Sequence, residues 1–334
     1  MTHTPSHILI TGGAGFIGAN FIHHLATQRP HCRLINLDAL TYAGSQAHLN
    51  TLIHPNYHFV KGNITDRSLV DTLLKQFDID TIVHFAAESH VDRSIEYPQD
   101  FIQTNLVGTF TLLEAARQHF LTRSQRSNRF HHISTDEVFG SLTEEAALTT
   151  EEDPYRPNSP YSASKAGSDH LVRAYYHTYQ LPCTLTYCSN NYGPFQHQEK
   201  FIPTIIRACL AKQPIPIYGE GKNKRDWLYV RDHCSGILSI LEKGQLGESY
   251  NIGSNNEWSN LELVKHICSL MDNMTPQSFL HQTLITFVTD RLGHDWRYGL
   301  NTEKIQTLGW KPQVSFDDGL ERTIRYFMQL QNSQ

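Results

Sequence analysis

The sequence predicts an α/β fold: a doubly wound parallel sheet with a smaller C-terminal lobe. Three observations carry this. Short apolar runs alternate with helical stretches through the first 190 residues, the pattern of parallel β-α-β units with both sheet faces covered. A glycine-rich turn joins the first apolar run to the first helix. Beyond Asn190 the texture changes to Pro- and Gly-rich stretches.

The elements follow in order. Ile8-Leu9-Ile10 is a short apolar run; Phe16-Ile17, Phe21-Ile22 and Leu25 then recur at helical spacing. A second run, Arg33–Asp38, ends in an acid. Further strands are expected at Tyr57–Lys61, Thr81–Phe85, His131–Ser134 and Thr184–Cys188, and helices at Ser68–Gln76, Phe101–His119 and Ser162–Tyr179. After Asn190 the pattern reads as loops and short elements without another regular sheet layer. A strand at Trp227–Val230 leads to helices at Asp232–Glu242, Leu261–Met271 and Phe316–Leu330, with Tyr250–Ile252 between the first two. The expected division is 1–192 for the first domain, with 226–245 returning to it, and 193–225 plus 246–334 for the lobe.

The chain has 334 residues, 39% hydrophobic and 18% charged, with a net charge of −5. That balance suits a globular protein of one large or two joined domains and leaves no basic excess for a nucleic-acid backbone. No segment approaches the ~18 consecutive apolar residues of a spanning helix, and Met1–Pro5 lacks signal-peptide features, so the cytoplasm is the expected location. The six cysteines form no C-x-x-C pair and the twenty histidines no H-E-x-x-H, so reduced thiols and no metal site are expected.

Thr11-Gly12-Gly13-Ala14-Gly15-Phe16-Ile17-Gly18 lies between a predicted strand and a predicted helix. Gly12 and Gly15 let backbone N–H groups approach a pyrophosphate, whose charge a helix N-terminus favours; Gly18 permits close helix–strand packing. Asp38 closes the second strand about 20 residues on, where a carboxylate accepts ribose hydroxyls and repels a 2′-phosphate. A Rossmann-type site for NAD is therefore expected. Asn63-Ile64 and Ala86-Ala87 fit loops lining adenine and ribose, or plain turns.

Tyr161 and Lys165 stand four residues apart on one helical face. A neighbouring ammonium favours phenolate and pulls the tyrosine pKa down from ~10, so Tyr161 suits proton abstraction from a hydroxyl as hydride leaves the same carbon. Thr135-Asp136-Glu137 follow a strand at the sheet's carboxyl edge, where such folds bind ligands. Two adjacent carboxyls there are either a solvated turn or a pair dividing acid and base work.

These residues resemble the extended short-chain dehydrogenase/reductase superfamily and, within it, the dTDP-glucose 4,6-dehydratase family. The resemblance is carried by the glycine turn, Leu37–Gly44, Ala86–Ser94, His132–Val138, Pro160–Lys165, Cys188–Pro194, Glu199-Lys200, Arg225–Val230 and Asp290-Arg291. Leu292, Trp296 and Arg231 depart from the family pattern, in or beside the nucleotide-sugar region. The resemblance implies a tightly held NAD that accepts a C4 hydride and returns it to C6. Tyr161 would take the C4 hydroxyl proton with Thr135 on the same oxygen, Glu137 would remove the C5 hydrogen, and Asp136 would protonate the leaving C6 hydroxyl. It further implies Thr104 and Asn190 near the cofactor, and Ser89, Asn191, Lys200, Arg225, Asn260 and His294 on the substrate. A homodimer is also implied, supported by apolar residues Leu112, Leu113, Leu171, Val172 and Tyr175 on two helices. A nucleotide-sugar 4-epimerase shares everything except a need for Asp136 and Glu137; a non-catalytic NAD-binding regulator would need neither them nor Tyr161.

Overall fold

The computed structural model describes residues 2–123, 127–290 and 295–332. The chain runs β1 (His7–Thr11), α1 (Phe16–Gln28), β2 (Arg33–Asp38), β3 (Tyr57–Lys61), α2 (Arg67–Gln76), β4 (Thr81–His84), α3 (Val91–Glu96), α4 (Pro98–Phe101), a π-wound turn (Ile102–Gly108) and α5 (Thr109–Leu121). It continues through β5 (Arg129–Thr135), α6 (Pro160–Tyr179), β6 (Cys183–Cys188), β7 (Asn190–Tyr192), α7 (Phe201–Ala211), β8 (Ile215–Tyr218), β9 (Lys224–Tyr229), α8 (Val230–Lys243) and β10 (Ser249–Ile252). Last come β11 (Glu257–Ser259), α9 (Asn260–Met274), β12 (Ile285–Val288), α10 (Glu303–Gln306) and α11 (Phe316–Asn332).

Seven strands form one parallel sheet in the order β3-β2-β1-β4-β5-β6-β10. The order reverses between β1 and β4, which opens a crevice at their carboxyl ends. Both faces are covered. Val70, Leu73 and Leu74 of α2, Leu112 and Leu113 of α5, and Ala166 and Val172 of α6 pack one face. Phe21, Ile22 and Leu25 of α1, with Ile237, Ile240 and Leu241 of α8, pack the other. A third apolar cluster joins α7, α9 and α11 around Ile205, Ile267 and Ile324.

The structure corrects four readings. Residues 101–119 are helical as expected but not one α-helix: the buried Asn105 side chain bonds the Glu88 N–H and C=O and the Ser164 hydroxyl, and the backbone widens to π winding over Ile102–Gly108. Beyond Asn190 there is more regular structure than the Pro and Gly texture suggested, namely α7, a three-stranded sheet β11-β9-β7 and a two-stranded sheet β12-β8. Pro203 stands in the first turn of α7, where no intrahelical N–H is required, so it does not break the helix. Residues 249–252, assigned from sequence to the lobe, pair with β6 as the seventh strand, while β9 pairs with β7 and β11 in the three-stranded sheet. Finally Leu112, Leu113, Val172 and Tyr175 are internal core and offer no surface to a second subunit.

Candidate active site

The glycine turn is built by close backbone approach. Gly12 has φ +71°, and a Cβ there would lie 2.6 Å from the Ala86 nitrogen. A Cβ on Gly18 would lie 2.4 Å from the Gly12 carbonyl oxygen. Gly15 begins α1 with no side-chain cap and no acidic residue in the first turn, so the helix presents free N–H groups to whatever occupies the crevice. Asp38 ends β2, its two carboxylate oxygens accepting the N–H of Ala14 at 2.8 Å and of Leu40 at 2.7 Å. The aspartate thus ties the turn to the second strand while lining the crevice. An uncapped helix end, glycines that admit close approach and a carboxylate at this place fit a dinucleotide with free ribose hydroxyls.

A cleft of about 340 Å³ opens here. Gly12, Gly15, Phe16, Ile17, Gly18, Asp38, Asn63, Ile64, Ala86, Ala87, Thr104 and Asn190 all line it, as do Ser89, Asn191 and Lys200 and the group Thr135, Asp136, Glu137, Tyr161 and Lys165. Arg225 and Asn260 do not line it. Arg225 lies just behind, its guanidinium 4.3 Å from the Tyr298 ring centre and donating to the carbonyls of Lys224, Asp295 and Trp296. Asn260 begins α9, and its backbone N–H donates to the Asn223 carbonyl. His294 lies outside the described residues, as does Leu292.

Thr135 ends β5 and caps the 3₁₀ turn Asp136–Phe139. Its hydroxyl accepts the Glu137 N–H and donates to Asp136, both at 3.3 Å. The other Asp136 oxygen is buried without a protein partner. Burial first, then the Glu137 charge, hold the Asp136 carboxyl well above the usual carboxylate range, against the pull of Arg225. Glu137 keeps part of its surface open to the cleft. Burial pushes it up to about 7, while Arg225 and then Lys200 pull it down. Both sequence neighbours are thus raised, but in different surroundings: Asp136 is enclosed beside the Glu137 charge, while Glu137 faces two cations.

Pro160 at the first helical position and the reciprocal Ser159/Ser162 cap fix where α6 begins. Tyr161 and Lys165 consequently sit in its first two turns beside β5. The Lys165 ammonium donates to the Ile133 carbonyl at 2.7 Å. The expected downward pull of Lys165 on Tyr161 does not prevail in the protein alone. Burial, with Glu137 next, raises the phenol well above its ordinary value, and the Thr135 hydrogen bond opposes this. Lys165 is itself depressed by burial.

Sequence reasoning assigned no role to Asn105, which ties the crevice loop to α6, or to Tyr42, whose ring is covered by the Arg93 guanidinium at 4.3 Å. Tyr42 lies within a motif that was recognised; Asn105 sits in what reads as an ordinary amphipathic helix.

A family model described as GDP-mannose 4,6 dehydratase matches residues 9–323. The chain is 51% identical over 330 residues to a dTDP-glucose 4,6-dehydratase of Xanthomonas campestris pv. campestris, covering 96% of this chain and 92% of that one. It superposes with a TM-score of 0.89 and 44% identity on the dTDP-glucose 4,6-dehydratase of Streptomyces venezuelae solved with NAD and TDP bound, covering 98% of each chain. A UDP-glucose 4-epimerase of Thermotoga maritima shares the architecture, with a TM-score of 0.86 over 97% of this chain and 99% of that one, at only 25% identity. Architecture is thus common to both chemistries, while identity separates them, and the chain belongs to the dTDP-glucose 4,6-dehydratase family.

Proposed function

We propose that the protein converts dTDP-glucose to dTDP-4-keto-6-deoxyglucose and water, with NAD retained in the glycine-lined cleft. Bound NAD supplies a hydride acceptor that becomes the donor later in the same turnover. Tyr161 takes the C4 hydroxyl proton, with Thr135 hydrogen-bonded to the same oxygen. The resulting 4-ketone acidifies C5–H, which Glu137 removes, and Asp136 gives its proton to the departing C6 hydroxyl. One observation carries this reading: adjacent carboxyls in unlike surroundings, Asp136 buried and raised well above the usual carboxylate range so that it suits a proton donor, Glu137 partly open to the cleft and near 7 so that it can act as base at neutral pH. A 4-epimerase needs no such pair.

Gly12, Gly15, Phe16, Ile17, Gly18, Asp38, Asn63, Ile64, Ala86, Ala87, Thr104 and Asn190 would hold the cofactor from the sheet side. Ser89, Asn191 and Lys200, with Arg225 behind them and Asn260 and His294 beyond, would hold the nucleotide sugar. The division of labour is then between the seven-stranded sheet and the elements from β7 onward, with Ser89 the one substrate residue contributed from the sheet side. Incubation with dTDP-glucose, UDP-glucose, CDP-glucose and GDP-mannose separately, followed by mass spectrometry, tests the reading. Loss of one water from the dTDP sugar is expected. A C4-inverted sugar of unchanged mass would establish the epimerase.

No described helix is long and apolar enough to cross a membrane. We place the protein in the cytoplasm, since its six cysteines are all free. A homodimer is supported by Ile102, Val107, Phe110 and Tyr179, which are exposed beside α5 and α6. Sedimentation at micromolar concentration should give twice the chain mass, and Phe110→Asp should shift it to monomer.

A further inference from the structure

Lys165 is the cation beside Tyr161, and only 4% of it is exposed. Burial of an ammonium favours loss of its proton, so something must hold the charge. One turn further along the same face of α6 stands Asp169, with no exposed surface. One carboxylate oxygen accepts the Ser134 hydroxyl at 2.7 Å and the Tyr155 hydroxyl at 3.3 Å. The other makes no hydrogen bond and lies 3.2 Å from Nε2 of His132. That same nitrogen is 3.3 Å from the Lys165 ammonium and 3.2 Å from the Ser168 hydroxyl. A single ring nitrogen cannot accept a proton from the lysine and donate one to the carboxylate together, so the three groups form one coupled unit. Neither His132 nor Asp169 lines the cleft, and the chemistry above uses neither.

We propose that Asp169 is a positioning residue: across His132 it keeps Lys165 an ammonium, and through Lys165 it governs the readiness of Tyr161 to take the C4 hydroxyl proton. The coupling is reciprocal. Asp169 is the leading influence that opposes burial at Lys165, and Lys165 is the leading influence that opposes burial at Asp169, whose carboxyl stands near 6. The groups facing the unit are His170 on α6, with Tyr161 one turn before Lys165, His131 and Ser134 on β5, Tyr155 before α6, Tyr187 and Cys188 on β6, and His84 on β4. The histidines on β4 and β5 are driven neutral by burial, and Cys188 is held protonated, so Asp169 is the anion available to Lys165. Tyr161 and Lys165 are four residues apart on one face of α6, where an ammonium favours the phenolate, and this is the route by which Asp169 reaches Tyr161.

The inference rests on reading Tyr161 as the base, and its test separates the two. Asp169→Asn keeps an acceptor for Ser134 and Tyr155 and removes only the charge. In the NAD-bound protein, the ¹⁵Nζ resonance of Lys165, assigned by its loss in Lys165→Met, should show an ammonium at pH 7.5 in the wild type. In Asp169→Asn its titration midpoint should fall by about one pH unit or more. The acid limb of C4 oxidation should then move to higher pH, and in a Lys165→Met background Asp169→Asn should change nothing further. A Lys165 midpoint unchanged in Asp169→Asn, or an equal cost of that substitution with Lys165 absent, overturns the proposal. Should Asp169→Asn unfold, Ser134→Ala, which weakens the same carboxylate's anionic form, must move the midpoint in the same direction by less. Failure of the Tyr161 reading would appear elsewhere, as undiminished C4 oxidation in Tyr161→Phe.

Discussion

The two walls of the cleft are made differently. The wall formed by the seven-stranded sheet is shaped by backbone: Gly12 and Gly18 leave no room for a side chain, and α1 offers uncapped N–H groups. The opposite wall is set by long side chains whose positions depend on distant partners. The Lys200 ammonium reaches across to the Ser89 carbonyl, and behind that wall Arg225 is seated on Tyr298 and three carbonyls. Backbone geometry is written locally in the chain; a side chain held by tertiary partners is not. The contrast teaches where each wall will fail.

Gly18→Ala should have the largest effect, because its Cβ meets the rigid Gly12 carbonyl and Gly13 Cα rather than a movable side chain. Overpacking of this kind costs about 1–3 kcal/mol or more, and α1 must shift, so purified protein should lose its bound NAD and melt lower. Retention of stoichiometric NAD would break the comparison. Arg225→Lys should act on the other wall only. A lysine cannot supply the fork that reaches three carbonyls, so KM for the nucleotide sugar should rise roughly tenfold while NAD content stays unchanged. Equal losses of NAD and substrate affinity would show that the walls are not separable.

The smallest effect is on pH dependence without substrate. Glu137, raised to about 7 in the fold, contributes stability below its unfolded value near 4.5 and loses it as pH climbs through 7. His3 near 4 and His233 near 3 are depressed, so their contribution is present above about 6.5 and is lost as pH falls toward those values. Between about pH 4.5 and 6.5 the Glu137 and histidine contributions run in opposite directions, and from about 6.5 to 7 the Glu137 decline remains. Glu137→Gln should remove about 1 kcal/mol of the alkaline decline, read from melting curves between pH 5 and 8.

Legibility follows the same contrast. β2 at Arg33–Asp38 is predicted to the residue because a buried parallel strand is a short apolar run bounded by turns, and β3 at Tyr57–Lys61, a half-exposed edge strand, because aromatic and β-branched residues mark it. The glycine turn and the Tyr161/Lys165 pair are equally local. The π-wound turn is not, since Asn105 acquires its partners from Glu88 and Ser164, far off in sequence. The upward displacement of Tyr161 escapes sequence reasoning for a related reason: spacing reports Lys165 as a neighbour but says nothing of the burial that outweighs it. Asp169 was visible only as a polar residue on an amphipathic helix until the fold set His132 between it and the lysine.

The central claim is that Asp136 and Glu137 make this site a dehydratase. The most direct measurement uses dTDP-glucose deuterated at C4, with the wild type and Glu137→Gln. Wild type should give a product one water lighter with deuterium at C6. Glu137→Gln keeps the shape and hydrogen bonding but loses the base, so turnover should fall ~10²–10⁴-fold while absorbance at 340 nm builds up on the enzyme, deuterium remaining there. A fully active Glu137→Gln, or wild-type product with deuterium at an inverted C4 and no loss of water, would contradict the account.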